Sequence, residues 1–102
     1  MAFKIDPAPT FAATVQISAP GGESLPLKVV FNHMKRTETR KFLTAGQSEP
    51  IMLATMVHSI DDLPEGTTQA AFLADLCEAY AAAGEDILRT WLSELTESRV
   101  KN

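Results

Sequence analysis

Three side chains could supply nucleophilic chemistry in this chain: His33, His58 and Cys77. A thiol becomes a strong nucleophile when a neighbouring histidine takes up its proton. The histidines match no metal-binding spacing such as HExxH, and Cys77 follows Leu76 in an apolar helical pattern, where a free cysteine is usually buried. We therefore predict a structural role for Cys77 and expect neither a metal site nor a cofactor. A small hydrolase that uses His58 and Cys77 is the weakest hypothesis.

Two pairs of adjacent carboxylates are the other candidates for chemistry, Asp61-Asp62 and Glu85-Asp86. General acid–base catalysis by such a pair needs an apolar site that shifts one of the two pKa values. The first pair precedes a proline turn. The second pair lies in the first turn of a predicted helix, where the helix dipole favours negative charge. Both positions favour structural roles, so we predict that the protein is not an enzyme.

Composition and charge exclude several classes of protein. The chain has 102 residues, of which 45% are hydrophobic and 22% charged, as is typical of one small globular domain. The net charge of −4 would repel a phosphate backbone, so nucleic acid is not an expected partner. The single cysteine excludes an intramolecular disulfide. No apolar run suits a signal peptide or a membrane span, so we expect a cytoplasmic protein that does not bind membranes.

The N-terminal third has the alternating pattern of β-strands. Residues 11–18 alternate apolar and polar side chains, and a second strand is predicted over residues 25–33. Between them, Gly21-Gly22 lacks the flanking residues of a phosphate-binding loop and favours a tight turn, because glycine permits positive φ angles. The two strands are therefore predicted to form a β-hairpin. Residues 1–7 are expected to form a short edge strand or a docked arm.

The middle of the chain carries the signals of two helices. Thr37 and Ser48 are the predicted N-caps, and Pro50 suits the first turn of the second helix. Residues 51–58 remain open between helix and strand, because the segment is short and rich in β-branched side chains. The predicted buried side chains of this region are Ile51, Leu53, Ala54, Val57 and Ile60.

Two further helices are predicted near the C-terminus. Thr67 or Thr68 begins the first, and the second contains the clearest helical stripe in the chain. The apolar side chains of that stripe are Ile87, Leu88, Trp91, Leu92 and Leu95. The short connection between these helices predicts an antiparallel helical hairpin, in which the last helix packs mainly against the preceding one.

Together these elements predict an α+β fold in one domain, residues 1–102. The β-hairpin part covers 1–33, and three to four helices cover 34–102. Met52 and Met56 are one helical turn apart. Methionine pairs usually fill a core, but they also form adaptable binding surfaces. We take these two methionines as the candidate partner-binding residues.

Three segments carry a resemblance to a known family. They are the opening FKIDPAPTF at 3–11, the turn PGG at 20–22, and AYAAAGEDILRTWLSELTESRVKN at 79–102. In this order they resemble the small tail assembly chaperones of long-tailed bacteriophages, in the group with an N-terminal β-hairpin and C-terminal helices. The resemblance covers nearly the whole chain, and its motifs consist of packing and turn residues.

The resemblance implies a phage or prophage protein that assists tail assembly without chemistry of its own. Such chaperones bind the tape-measure protein, a long helical rod, and keep it soluble in the host cytoplasm while tail-tube subunits polymerise around it. Many of them self-associate. The implied partners are the tape-measure protein and, as a second candidate, the major tail protein. The alternative hypothesis is a structural component of the tail tube or neck.

Overall fold

The computed structural model describes residues 8–61 and 63–96, so the arm expected at 1–7 lies outside the described residues. Over the described residues the fold is α+β, as predicted, with a three-stranded antiparallel sheet and four α-helices. The strands are β1 (Thr10–Ser18), β2 (Ser24–Asn32) and β3 (Val57–Ile60), and the helices are α1 (Arg36–Thr44), α2 (Glu49–Met56), α3 (Gln69–Ala79) and α4 (Ala83–Thr96). None of the described helices is long and apolar enough to cross a membrane.

The first two strands form the predicted hairpin. They are antiparallel and stay in register over their whole length, with Phe11 opposite Phe31 and Val15 opposite Leu27. The turn between them uses the glycine pair as expected, because Gly21 and Gly22 have φ angles of 85° and 81°. Only glycine adopts such angles without steric cost.

A third strand, β3, settles the segment that the sequence leaves open between helix and strand. The chain is helical up to Met56 and turns into a strand at Val57, whose φ and ψ are −94° and 119°. This strand pairs with the free side of β2, and the register shifts beside Phe31. The β-branched residues at 57 and 60 therefore belong to the sheet and are buried there, whereas the residues before them belong to α2.

The helices cover one face of the sheet, and the core lies between the two layers. Val15, Ile17, Val29 and Phe31 point from the sheet into this core, while Lys28 and its neighbours on the other face are exposed. The helices contribute further buried apolar side chains to this core, which are Phe42, Leu53, Met56, Leu73, Ala83, Ile87 and Trp91. Burying apolar surface on one face of each element is what stabilises a two-layer domain of this kind.

Helix α4 packs mainly on the sheet, and the expectation that it packs mainly on the preceding helix is wrong. Trp91 is 0% exposed. Its ring packs edge to face against Phe42, with the two ring centroids 5.4 Å apart. Its indole Nε1–H donates to the carbonyl oxygen of Asn32 at 3.0 Å. α4 and α3 are adjacent, as predicted. The sheet takes the larger share of the stripe because its inner face offers a wider apolar surface than α3 does.

The N-caps are predicted correctly for two of the first three helices. Ser48 precedes α2, and Thr68 caps α3 by accepting a hydrogen bond from the Ala71 N–H at 3.1 Å. For α1 the predicted cap is wrong, because Lys35 occupies the N-cap and Thr37 lies inside the helix. The cause is Glu38, whose carboxylate reaches back to accept from the Lys35 N–H at 3.3 Å.

Candidate functional site

Helix α2 is apolar on both its buried and its exposed side. Its only charged residue is Glu49, in the first turn, where the helix dipole favours a carboxylate. Leu53 and Met56 point into the core. On the other side, Ile51 is 52% exposed and Ala54 is exposed as well, so the expectation that these two residues are buried is wrong. Helices that are apolar all round are usually covered on all sides.

Helix α3 lies beside α2 and presents small side chains to it. Ala70 and Ala74 are one turn apart on α3 and face Ala54 across a shallow groove. The start of α3 is held in place by Gln69, whose side-chain amide donates to the carbonyl oxygen of Val57 at 3.2 Å. Because alanine side chains are short, another helix can approach this surface closely.

We call the space between the two helices the α2–α3 groove. Its cavity volume is about 150 Å³, enough for one or two apolar side chains. It is lined by Glu49, Pro50, Leu53, Ala54, Gln69, Ala70, Leu73, Ala74 and Cys77. The two leucines form the floor, and polar atoms are confined to the glutamate and glutamine. The groove is therefore suited to binding apolar side chains.

Cys77 closes one end of the groove beside Glu49. Burial raises the pKa of the Cys77 thiol, and the negative charge of Glu49 and a hydrogen bond to its side chain raise it further, against a smaller lowering by the backbone at Gly84. A raised pKa keeps the thiol protonated at neutral pH, whereas a cysteine nucleophile needs its pKa lowered. The thiol is half-buried in an apolar wall, in agreement with the predicted structural role.

The two histidines lie elsewhere. His58 is exposed on β3, and His33 is half-buried in the connection between β2 and α1. Neither is among the described residues that line the groove around Cys77. The Cys–His pair that a hydrolase would require is therefore not formed by His58 or His33 in this structure.

In the Glu85-Asp86 pair, Asp86 has the structural role that the sequence favours. Asp86 is 5% exposed, and it accepts a hydrogen bond from the Ser18 N–H at 2.9 Å, which ties the start of α4 to the end of β1. Glu85 is exposed and lies 3.5 Å from Arg89. In the other pair, the Asp61 N–H donates to the carbonyl oxygen of Lys28, and Asp62 lies outside the described residues.

The two methionines chosen from the sequence line a second groove, between α2 and the start of α4. Met52 is half-buried there and partly accessible to solvent. Met56 is 0% exposed and belongs to the core, so it does not offer the accessible surface that we expected of it. The phase of α2 explains the difference, because Leu53 and Met56 together face the sheet.

Sequence patterns did not identify the α2–α3 groove, although one signal for it was present. The run EPIMLATM contains no charged residue after its first position, and Thr55 is its one polar residue there. Among the described residues, no group of three or more histidine, cysteine, aspartate or glutamate side chains could hold a metal ion. The groove is thus the best candidate for a functional site.

Comparison with known protein families assigns the chain to a family. The model of a family described as phage tail assembly chaperone matches residues 1–102, which is the whole chain. No curated protein and no solved structure matches the chain. The match agrees with the resemblance noted in the three sequence segments, and it covers both the hairpin and the helical layer. The chain therefore belongs to the phage tail assembly chaperone family.

Proposed function

We propose that this protein acts as a non-enzymatic chaperone that binds helical segments of the phage tape-measure protein through the α2–α3 groove. Family membership supports a role in tail assembly with protein partners. The observation that carries the finer proposal is the groove itself, which has an apolar floor and short alanine side chains on both walls. Ile51, which is 52% exposed on the same helix, adds apolar surface outside the lining. Covering such a surface with a partner removes apolar area from water and so lowers the free energy.

A helix is the element that fits this groove best. Helices pack with their axes about 8–10 Å apart, and the shortest distances require small side chains at the contact. Ala54, Ala70 and Ala74 provide them on both walls. An incoming helix with a leucine or a methionine every three or four residues would place one side chain over the floor and the next over Ile51.

The remaining features of the proposal follow from the family resemblance. The protein would act in the host cytoplasm and would release the tape-measure protein when tail-tube subunits surround it. A cavity of about 150 Å³ accepts few side chains, so each contact should be weak enough to reverse. Self-association, and contact with the major tail protein, are further parts of the same proposal.

The direct test is co-expression with the tape-measure protein of the same phage or prophage, followed by affinity capture. Ala74→Glu places a charge in the groove, and Ala71→Glu makes the same change at an exposed position of the same helix that does not line the groove. We expect Ala74→Glu to abolish capture and Ala71→Glu to preserve it. Because the groove is apolar, capture should change little between low and high salt.

Cys77 offers a second measurement at the same place, because it is the only cysteine and it lines the groove. Its reaction with iodoacetamide should slow further when the partner is bound. The matched control is Glu23→Cys in a Cys77→Ala background, which puts the thiol at the exposed hairpin turn. Its labelling rate should not change when the partner is added.

Two outcomes would contradict the proposal. If the tape-measure protein is equally soluble without this chain and no complex forms, the tape-measure assignment fails. Incorporation of the chain into purified phage particles would instead support the alternative, a structural component of the tail tube or neck. Equal capture by the Ala74→Glu and Ala71→Glu variants would leave the partner in place but show that the α2–α3 groove is not its site.

A further inference from the structure

A third groove lies between the C-terminal half of α4 and α1. Its cavity volume is 530 Å³, several times that of the α2–α3 groove. It is lined by His33, Met34, Lys35, Arg36, Thr39, Arg40, Leu43, Leu92, Leu95 and Thr96. We call it the α1–α4 groove. Its floor is apolar, since Leu92 and Leu95 come from α4 and Leu43, which is 40% exposed, comes from α1.

One wall of this groove is strongly basic in an otherwise acidic protein. The chain has a net charge of −4, yet four of its nine lysine and arginine residues fall between positions 35 and 41. Lys35, Arg36 and Arg40 line the groove, whereas Lys41 does not. Arg36 and Arg40 are one helical turn apart and thus extend along the same side of α1.

These basic side chains have no charged partner among the described residues. The ion pairs of the described part of the chain both involve Arg89, which lies on α4 and does not line this groove. The nearest acid on α1 is Glu38, whose carboxylate accepts from the Lys35 N–H at the start of the helix. The wall therefore offers unneutralised positive charge beside an apolar floor.

We propose that the α1–α4 groove binds an acidic amphipathic helix of a partner protein. The apolar side of that helix lies on Leu43, Leu92 and Leu95, and its glutamate or aspartate side chains lie against Arg36 and Arg40. We choose this occupant because it matches both the positive charge of the wall and the apolar floor of the groove. Nucleic acid or an anionic membrane would use the charge but would leave the leucine floor without a partner.

The chain's own C-terminal residues are a poor match for this groove. They follow Thr96, which lines it, and their sequence is ESRVKN, with Glu97 against Arg99 and Lys101. A segment with more basic than acidic side chains does not complement a basic wall. The proposal does not depend on the tape-measure assignment, because the two grooves share no lining residue.

The test measures binding of a fluorescently labelled synthetic peptide to the full chain by anisotropy at low salt. The peptide is helical, with leucines at every third or fourth position and glutamates flanking them. Arg40→Glu reverses a charge in the groove, and Lys41→Glu reverses the neighbouring charge outside it. We expect Arg40→Glu to weaken binding about ten-fold or more and Lys41→Glu to change it less than about two-fold.

Four further measurements decide between occupants. Binding should fall steeply with added salt, and the same peptide with glutamine in place of glutamate should bind at least about ten-fold more weakly. Ala74→Glu, in the other groove, should leave peptide binding unchanged even if tape-measure capture is lost. Glu97→Gln should also leave it unchanged, since the C-terminal residues do not occupy the groove in our proposal.

Several results would overturn the inference. Equal effects of Arg40→Glu and Lys41→Glu would show non-specific attraction. Stronger peptide binding by Glu97→Gln would identify the C-terminal residues as the occupant. A dimer in light scattering that Arg40→Glu dissociates would identify a second copy of the chain. Binding of duplex DNA or of phosphatidylserine vesicles, without binding of the peptide, would assign the basic wall to a polyanion.

Discussion

Helices α4 and α2 are both rich in apolar side chains, but they differ in how these are covered. In α4 the apolar residues form one stripe, and the stripe meets the sheet and α1, with Ile87 and Trp91 fully buried. In α2 the apolar residues occur all round, so Leu53 and Met56 are buried while Ile51 stays exposed. The centre of the α4 stripe is thus covered within the domain, while Leu92 and Leu95 at its C-terminal end are half-buried and line the α1–α4 groove. The exposed side of α2 has no such cover among the described residues.

This difference separates residues that build the domain from residues that remain available for binding. Apolar side chains that are fully buried within the domain give no reason to look for a partner. An accessible groove with an apolar floor does give one. On this basis Trp91, the most prominent residue of the sequence, belongs to the core, and the less prominent Ile51 marks the candidate binding surface.

The largest effect should come from removing the centre of the α4 stripe. Trp91→Ala should lower the free energy of unfolding by about 3–5 kcal/mol, because it leaves a large cavity next to Phe42 and an unpaired carbonyl at Asn32. Urea denaturation followed by circular dichroism measures this. Unchanged stability would mean that the stripe is a free docking face, and the contrast with α2 would disappear.

A smaller loss is expected at the tie between α4 and the sheet. Asp86→Ala removes the acceptor of the Ser18 N–H, in a hydrogen bond that is partly buried, and should cost about 1 kcal/mol, because the bond that ties α4 to β1 is lost. The control is Glu85→Ala, the neighbouring exposed acid, which should cost less than about 0.5 kcal/mol. Equal losses would show that charge at the helix N-terminus, and not the bond to the strand, holds α4 in place.

The next prediction concerns the hairpin turn of the sheet on which α4 packs, and whether that turn requires glycine. Gly21→Val should cost about 1 kcal/mol or more, because valine is strained at a φ of 85° although no atom stands in the way of a side chain. Glu23→Val, at an extended position of the same turn, should cost much less. Thermal melts of both variants and the parent provide the comparison, and identical melting temperatures would contradict the glycine requirement.

Sequence patterns predicted the elements whose signals are local. The hairpin was predicted because alternation and a glycine pair lie within a short stretch of chain, and the caps at Ser48 and Thr68 for the same reason. The strand β3 was left open because it depends on pairing with Phe31, which is far away in sequence. Propensity alone cannot place a four-residue strand of this kind.

The candidate site was harder to predict than the fold. Apolar periodicity shows which side chains of α4 share a face, but it does not show whether the sheet or α3 covers that face. On α2 the pattern is apolar in every direction, so the phase of the helix was open. We expected Ile51 to be buried and Met56 to be accessible, and the structure shows the reverse. The groove itself requires two helices to be adjacent, which no local pattern specifies.

The burial of Met56 also changes an experiment that the sequence alone would suggest. Replacing Met52 and Met56 together by serine cannot test binding without disturbing the fold, because Met56 is 0% exposed. Met56→Ser should destabilise the core by about 2–5 kcal/mol. Met52→Ser, at a half-buried position on the same helix, should cost less and is the variant to use in capture experiments with the tape-measure protein.

The smallest effect on stability, and the sharpest test of the comparison, should come from Ile51→Gln. Glutamine is a good helix former, and the side chain it replaces is 52% exposed, so the free energy of unfolding should change by less than about 0.5 kcal/mol. Capture of the partner should nevertheless fall, because a polar side chain removes the apolar surface beside the groove. The matched control is Leu25→Gln, which removes another exposed apolar side chain, 42% exposed, from β2 instead of α2. If Leu25→Gln lowers capture as much as Ile51→Gln does, general hydrophobicity and not the exposed side of α2 holds the partner. If instead Ile51→Gln unfolds the domain, α2 is covered within the chain itself, and its difference from α4 is only apparent.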